Sequence, residues 1–182
     1  YDGLLHLIDI CEDLGLDAMT AGNVLGWVTE AFENKIITEK DTQKLKPTWG
    51  DAETYGIMLK NIANAKSPFY VALARGIDAA AEKYGGKDFS VSLGGNGPPG
   101  YMTGYGTITG TVVGARHSHL SNAGYSYDQT KLGNPFNADE MADYLIENED
   151  WLYIMYSLGI CYFARKAYSK ETISKILKAL DM

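Results

Sequence analysis

The chain has 182 residues, 46% of them hydrophobic and 21% charged, enough to bury a sizeable core and too apolar for a disordered segment. Sixteen Lys and Arg against 23 Asp and Glu give a formal net charge of -7, which argues against nucleic-acid and anionic-membrane partners because phosphate binding needs a basic face. The two cysteines, Cys11 and Cys161, are too few and too far apart for a disulfide framework, and no run of about 18 apolar residues spans a bilayer. The expectation is a cytoplasmic protein without a secretory leader.

Leu4, Leu7, Ile8 and Cys11 already follow helical spacing at the first residues, so the chain is expected to be a piece of a longer one. Gly15 reads as a helix stop, and Asp17 and Thr20 as caps for a second helix on Val24, Trp27, Val28 and Ala31. Tyr55, Met58, Leu59 and Ile62 mark a third. The alanine-rich stretch 70–84 predicts one helix ending at Gly85-Gly86, and Phe89, Val91 and Leu93 alternate as a strand does.

Eight glycines then lie between Gly94 and Gly114, and no helical period is evident to about Pro135. Irregular segments of that length are uncommon in compact domains unless functional or disordered. The glycines would let backbone pass close to a flat ligand or to another backbone, or simply make a connector between two helical subdomains, 1–93 and 94–182. Asn137 with Glu140 has capping-box spacing, and Ser169 caps a last helix with the face Ile173, Ile176, Leu177 and Leu180. The expected fold is all-α, an irregular architecture of about seven helices with a long glycine-rich loop and little or no sheet.

Chemistry concentrates at three places. In Cys11-Glu12-Asp13-Leu14-Gly15-Leu16-Asp17, followed by Thr20-Ala21-Gly22, a helix end and the next helix start either form a plain structural corner or present carboxylates and N–H groups to a polar ligand. Arg116-His117-Ser118-His119-Leu120 holds two of the chain's three histidines, which share a face if the backbone is extended. Only Asp128 is near enough in sequence to extend them to a metal set, so a single His as general acid or base, or a histidine buttressing the loop, reads better. Ser157-Leu158-Gly159-Ile160-Cys161 echoes the first corner. Its Cys is a small core residue or one thiolate of a cluster, and a cubane needs four thiolates where this chain has two cysteines.

These segments, with Leu73-Ala74-Arg75-Gly76 between them, occur in an order and spacing that resemble the aldehyde ferredoxin oxidoreductase family, tungsten (occasionally molybdenum) bis-pterin enzymes. The resemblance covers essentially the whole chain and corresponds to the family's helical second and third domains. It implies an N-terminal pterin domain and a Cys-x-x-Cys-x-x-x-Cys run upstream of Tyr1. Glu12, Gly15, Leu16 and Asp17 match the first Asp-x-x-Gly-Leu-Asp pterin motif. Tyr156, Gly159, Ile160 and Cys161 match the second, Asp-x-x-Gly-Leu-Cys, with Cys161 as the fourth ligand of a [4Fe-4S] cluster.

The family's histidine near the metal is matched first by His119 and second by His117, and Tyr101, Tyr105, Tyr125 and Tyr127 are then candidates to line a pocket for an aldehyde. The implied partners are a ferredoxin-type acceptor, the missing N-terminal domain, a small aldehyde-like substrate and, as is frequent in the family, a second copy. The isolated chain is expected to hold no cofactor and to be inactive. Tyr156 for Asp, Glu12 for Asp, Ser121 after His-Leu, and Gly97-Pro98-Pro99-Gly100 for Asp-Pro-Arg depart from the pattern and bear on the pterin contacts and substrate. They also keep open a non-catalytic helical scaffold or interaction module that retains the fold without the cofactor.

Overall fold

A computed structural model describes residues 1–122 and 124–181. Among the described residues the chain forms nine α-helices and no strand, and an isolated bridge between Leu93 and Asn96 closes a turn. It separates into two compact units, Tyr1–Pro99 and Gly100–Met182. No helix of the described residues is long and apolar enough to cross a membrane.

The first unit holds α1 (Asp2–Leu14), α2 (Ala18–Glu33), α3 (Ala52–Ala63), α4 (Pro68–Ala74) and α5 (Ile77–Tyr84). The predicted stripe of α2 is its buried face, with Val24, Trp27, Val28 and Ala31 at most 3% exposed. Met58 and Leu59 of α3 are fully buried against it, each contributing about 1.5–3 kcal/mol. Thr29 enters this core because its hydroxyl is satisfied twice, at 2.9 Å to the Leu25 carbonyl and 2.7 Å from the Tyr55 hydroxyl.

On α1 the buried positions are Ile10 and Cys11, whereas Leu4 and Ile8 of the expected stripe are exposed. Ile10 packs where α3 carries Gly56; a Cβ there would lie 2.9 Å from its Cδ1.

The single helix expected over 70–84 is two, because Gly76 between them has φ 95 and ψ 173, a conformation open essentially to glycine. The expected stop at Gly85 holds. The expected strand does not form: Lys87–Phe89 is a 3-10 turn, set by Trp27, whose indole N–H donates to the Gly86 carbonyl (3.2 Å) and whose ring stacks on Phe89. The alternation at 89, 91 and 93 thus reflects one contact, half-buried Phe89 on Trp27, rather than a sheet face.

The second unit holds α6 (Tyr105–Val113), α7 (Tyr125–Thr130), α8 (Ala138–Ser157) and α9 (Lys170–Ala179). Two of these, α6 and α7, lie in the stretch expected to be irregular. The period of α6 was hidden because its packed side is made of small residues. Gly106, Thr107 and Gly110 are buried, while Tyr105, Ile108 and Val112 are exposed.

The glycines serve backbone against backbone. A Cβ on Gly106 would lie 2.8 Å from the Gly124 carbonyl oxygen, and one on Gly110 2.9 Å from that of Asn122. Asn137 caps α8 by accepting the N–H groups of Asp139 and Glu140, both at 3.1 Å. Glu140 does not complete the reciprocal box; it pairs with Lys131 instead. Ser169 caps α9 through the Thr172 N–H at 3.1 Å, and of the expected face only Ile173 is fully buried.

Candidate functional site

The first corner is a Schellman turn. The Leu16 N–H donates to the Cys11 carbonyl (2.9 Å) and the Gly15 N–H to that of Glu12 (3.2 Å), with Gly15 left-handed at φ 67. The chain then turns into α2, and Asp17 accepts the Thr20 N–H through Oδ1 at 2.6 Å. Glu12 and Asp17 are both exposed.

A cleft of about 190 Å³ opens at this corner, walled by Gly15, Leu16, Asp17 and Thr20 and by Leu73, Ala74 and Gly76 from the α4–α5 break. Two motifs some 60 residues apart therefore share one hollow, and the break at Gly76 is what brings the second to it. Cys11 beneath the corner is buried, and burial, with Asp17 and Glu12 adding to it, pushes its thiol up; it is an inert packing residue.

The second corner repeats the first bond for bond. The Ile160 N–H donates to the Met155 carbonyl and the Gly159 N–H to that of Tyr156, both at 3.0 Å, with Gly159 left-handed at φ 72. Where Asp17 opens α2, Cys161 opens a 3-10 turn, Tyr162–Ala164, its carbonyl accepting the Ala164 N–H at 2.9 Å. Cys161 is a free, exposed thiol, unlike buried Cys11.

The histidine segment is not extended. His117 has φ 50, and Ser118 organises a tight turn in which its carbonyl accepts the Ser121 N–H (2.9 Å) and its hydroxyl the Leu120 N–H (3.2 Å). The two histidines therefore separate. His117 is exposed with Nδ1 at 3.2 Å from the Thr111 carbonyl oxygen, a buttress to the end of α6. His119 is half-buried with its ring edge-on to Tyr101 at 5.6 Å, and burial lowers its pKa below the ordinary 6.5.

Tyr125 packs on Tyr101 at 4.8 Å and approaches the Tyr162 hydroxyl at 3.4 Å. Of the four tyrosines expected around an aldehyde, Tyr101 and Tyr125 belong to this cluster. Tyr127 is buried on Tyr144 in the core of the unit, and Tyr105 lies against Phe136.

The loop carrying His119 is strapped to α8. Glu149 accepts the Ala115 N–H at 2.9 Å and the Asn122 amide at 2.9 Å, Asn122 also reaches the Leu145 carbonyl (3.3 Å), and the Tyr156 hydroxyl donates to the Leu120 carbonyl at 2.5 Å. Glu149 and Asn122 escaped the sequence reading. The available signal was the spacing of Leu145, Glu149 and Tyr156, which puts them on one face of α8.

A Cβ on Gly15 or Gly159 would meet nothing within 4 Å, and at the first corner that open side is the cleft. At the first corner Asp17 lines the cleft with a carboxylate suited to the N–H edge of a heterocycle, while Glu12 is exposed outside its lining; the second corner offers an accessible thiol. These residues fit a pterin edge at the first corner and one ligand of an iron–sulfur cluster at Cys161. Among the described residues no three His, Cys, Asp or Glu are grouped to hold a metal ion by themselves.

A family described as "Aldehyde ferredoxin oxidoreductase, domains 2 & 3" matches residues 1–181. Similar relatives include the tungsten-containing aldehyde ferredoxin oxidoreductases of Pyrococcus furiosus and Thermococcus kodakarensis, each 26% identical over 93% of this chain. The chain spans 29% of the length of either. The WOR-like subunit of an aliphatic sulfonate oxidoreductase of Pyrococcus furiosus is 31% identical over 44% of this chain and 12% of its own length.

Proposed function

The chain belongs to the aldehyde ferredoxin oxidoreductase family, of which it carries domains 2 and 3, and on that premise we propose that it forms the helical cofactor and substrate side of a tungsten- or molybdenum-pterin oxidoreductase that oxidises aldehydes to carboxylic acids. The observation that carries this is the pair of matched corners, at Gly15 and at Gly159, each a left-handed glycine closed by the same two hydrogen bonds, with a cleft at the first.

At the first corner Glu12 and Asp17 accept pterin N–H groups, and Gly15 and Leu16 give the ligand access to the backbone. Asp17 keeps Oδ2 for this while Oδ1 caps α2. At the second corner Gly159 and Ile160 play the same part, and Tyr156 contributes its phenol oxygen, which accepts while its proton is donated to Leu120. Cys161 ligates a [4Fe-4S] cluster whose other thiolates come from outside this chain.

When bound, the metal–pterin group supplies the two-electron redox chemistry. Oxidation of R-CHO with water to R-COOH releases two protons and two electrons; a cluster held in part by Cys161 would supply the one-electron relay to a ferredoxin-type acceptor. His119 takes a proton on its imidazole nitrogen, for which a half-buried, neutral ring is suited. Tyr101 and Tyr125 give the substrate an aromatic wall next to it. His117, tied to Thr111, is the second choice for the proton. Because the chain spans 29% of the length of the tungsten relatives, it is proposed to act in the cytoplasm together with a pterin domain outside these residues, and no turnover is expected from the 182 residues alone.

One observation favours a second reading, a helical scaffold that has lost the cofactor: Tyr156, at the place of a pterin-binding Asp, has its hydroxyl committed to Leu120. Metal analysis of the full-length protein, produced with tungstate and with molybdate, separates the two. Tungsten or molybdenum with pterin and about four irons is expected for the enzyme; protein purified with neither metal overturns that reading in favour of the scaffold.

A further inference from the structure

The loop from Ala115 to Asn122 holds His119 at the middle of a tight turn, and its polar anchors to α8 are few. Glu149 grips the loop's two ends, at Ala115 and Asn122. Between those ends, the carbonyl of Leu120, one peptide beyond that of His119 itself, accepts from the hydroxyl of Tyr156 at 2.5 Å. His119 itself makes an edge contact with Tyr101, which restrains the ring plane but not the backbone under it. An imidazole that transfers a proton must stay within a few tenths of an ångström of its working position, and that depends on how its backbone is fixed.

We propose that Tyr156 is a positioning residue: its hydroxyl fixes the Leu120–Ser121 peptide, one residue past His119 in the same tight turn, and through that turn sets the imidazole of His119. The inference rests on the reading of His119 as the proton-transferring group. It also gives the departure from Asp at position 156 a physical consequence. A carboxylate there can accept from a pterin but has no proton to give the Leu120 carbonyl, and its side chain is too short to reach where a phenol reaches. The same residue thus ties the second corner, three positions on at Gly159, to the histidine turn.

The test uses the full-length, metal-loaded protein with labelled histidine, the His119 ring resonance being assigned by its disappearance in His119→Asn. Tyr156→Phe keeps the ring and removes the hydroxyl; Tyr156→Asp restores a carboxylate and also removes the donor. In both, the His119 resonance is expected to shift or broaden while tungsten and iron contents hold. In Tyr156→Phe, kcat is expected to fall about tenfold or more with KM little changed. An unmoved His119 resonance in both variants overturns the proposal, as does loss of tungsten from Tyr156→Phe with that resonance unmoved, which would make Tyr156 a cofactor contact only. If His119→Asn retains full activity, the catalytic reading of His119 fails by itself, and a displaced resonance in Tyr156→Phe still establishes the strap.

Discussion

The carboxylate of Asp128 caps a helix to which it does not belong: it accepts the N–H of Gly106 through Oδ1 and that of Thr107 through Oδ2, each at 2.8 Å. Thr107 and Thr103 add their hydroxyls to Oδ2 at 2.8 and 3.2 Å. Helix α6 has a glycine at its N-cap, Gly104, and so no side chain of its own to cap it; Asp128 of α7 does this from outside. Asp128→Ala is expected to destabilise the protein by about 1.5–3 kcal/mol, the range for hydrogen bonds to a charged group, read as a lower denaturation midpoint with an unchanged slope.

The glycines of this crossing are steric. Gly106→Ala would put a Cβ 2.7 Å from Asp128 Oδ1 and 2.8 Å from the Gly124 carbonyl oxygen, both fixed groups. It is expected to be at least as damaging as the loss of Asp128. Gly15→Ala meets no atom within 4 Å and strains only the left-handed backbone, at about 1–2 kcal/mol. Thermal unfolding of the two variants side by side checks the order; Gly15→Ala as the more destabilising would refute the crossing argument.

Asp17 has two tasks, and substitution separates them. Asp17→Asn keeps an oxygen for the Thr20 N–H and is expected to leave stability within about 0.5 kcal/mol, whereas Asp17→Ala loses the cap and about 1 kcal/mol. Both remove the negative charge offered to a pterin. Pterin content of the full-length variants should therefore fall in both, while the unfolding midpoint falls only in Asp17→Ala.

His119→Asn is expected to lower kcat by about a hundredfold or more, the scale of a lost proton-transfer group, with iron content unchanged. Burial holds the His119 pKa below 6.5, so the ring is neutral at pH 7. As a base it would give an acid limb to the rate profile with its midpoint below pH 6.5. The unfolded chain takes up the proton at higher pH than the folded one. The stability tied to His119 is therefore full above about pH 6.5 and declines as pH falls from there through the depressed folded value. A wild-type kcat profile with no acid limb anywhere below pH 6.5, followed down to the pH at which the protein begins to unfold, would remove His119 from the mechanism.

Cys161→Ser tests the cluster ligand. Iron in the full-length protein is expected to drop by at least one atom in four or to be lost altogether, whereas Cys11→Ser, in the buried core beside Glu12 and Asp17, should change stability and leave iron in place.

What the sequence alone determined was whatever depends on neighbours in the chain. The stripe of α2, the stops at Gly15 and Gly85, the caps at Asp17, Asn137 and Ser169, and the likeness of the two corners are all settled within a turn or two of backbone. Hydrogen-bond rings and side-chain periodicity act over that distance. The tertiary structure alone decided where backbone meets backbone. Helix α6 packs by glycines, so its apolar residues mark the exposed side and its period reads as none. His117 and His119 part because His117 turns left-handed and Ser118 closes a turn, and Glu149 and Tyr156 meet the histidine loop across more than 25 residues. Such contacts are set by the shape two segments make when they close on one another, and no local pattern of polarity encodes that shape.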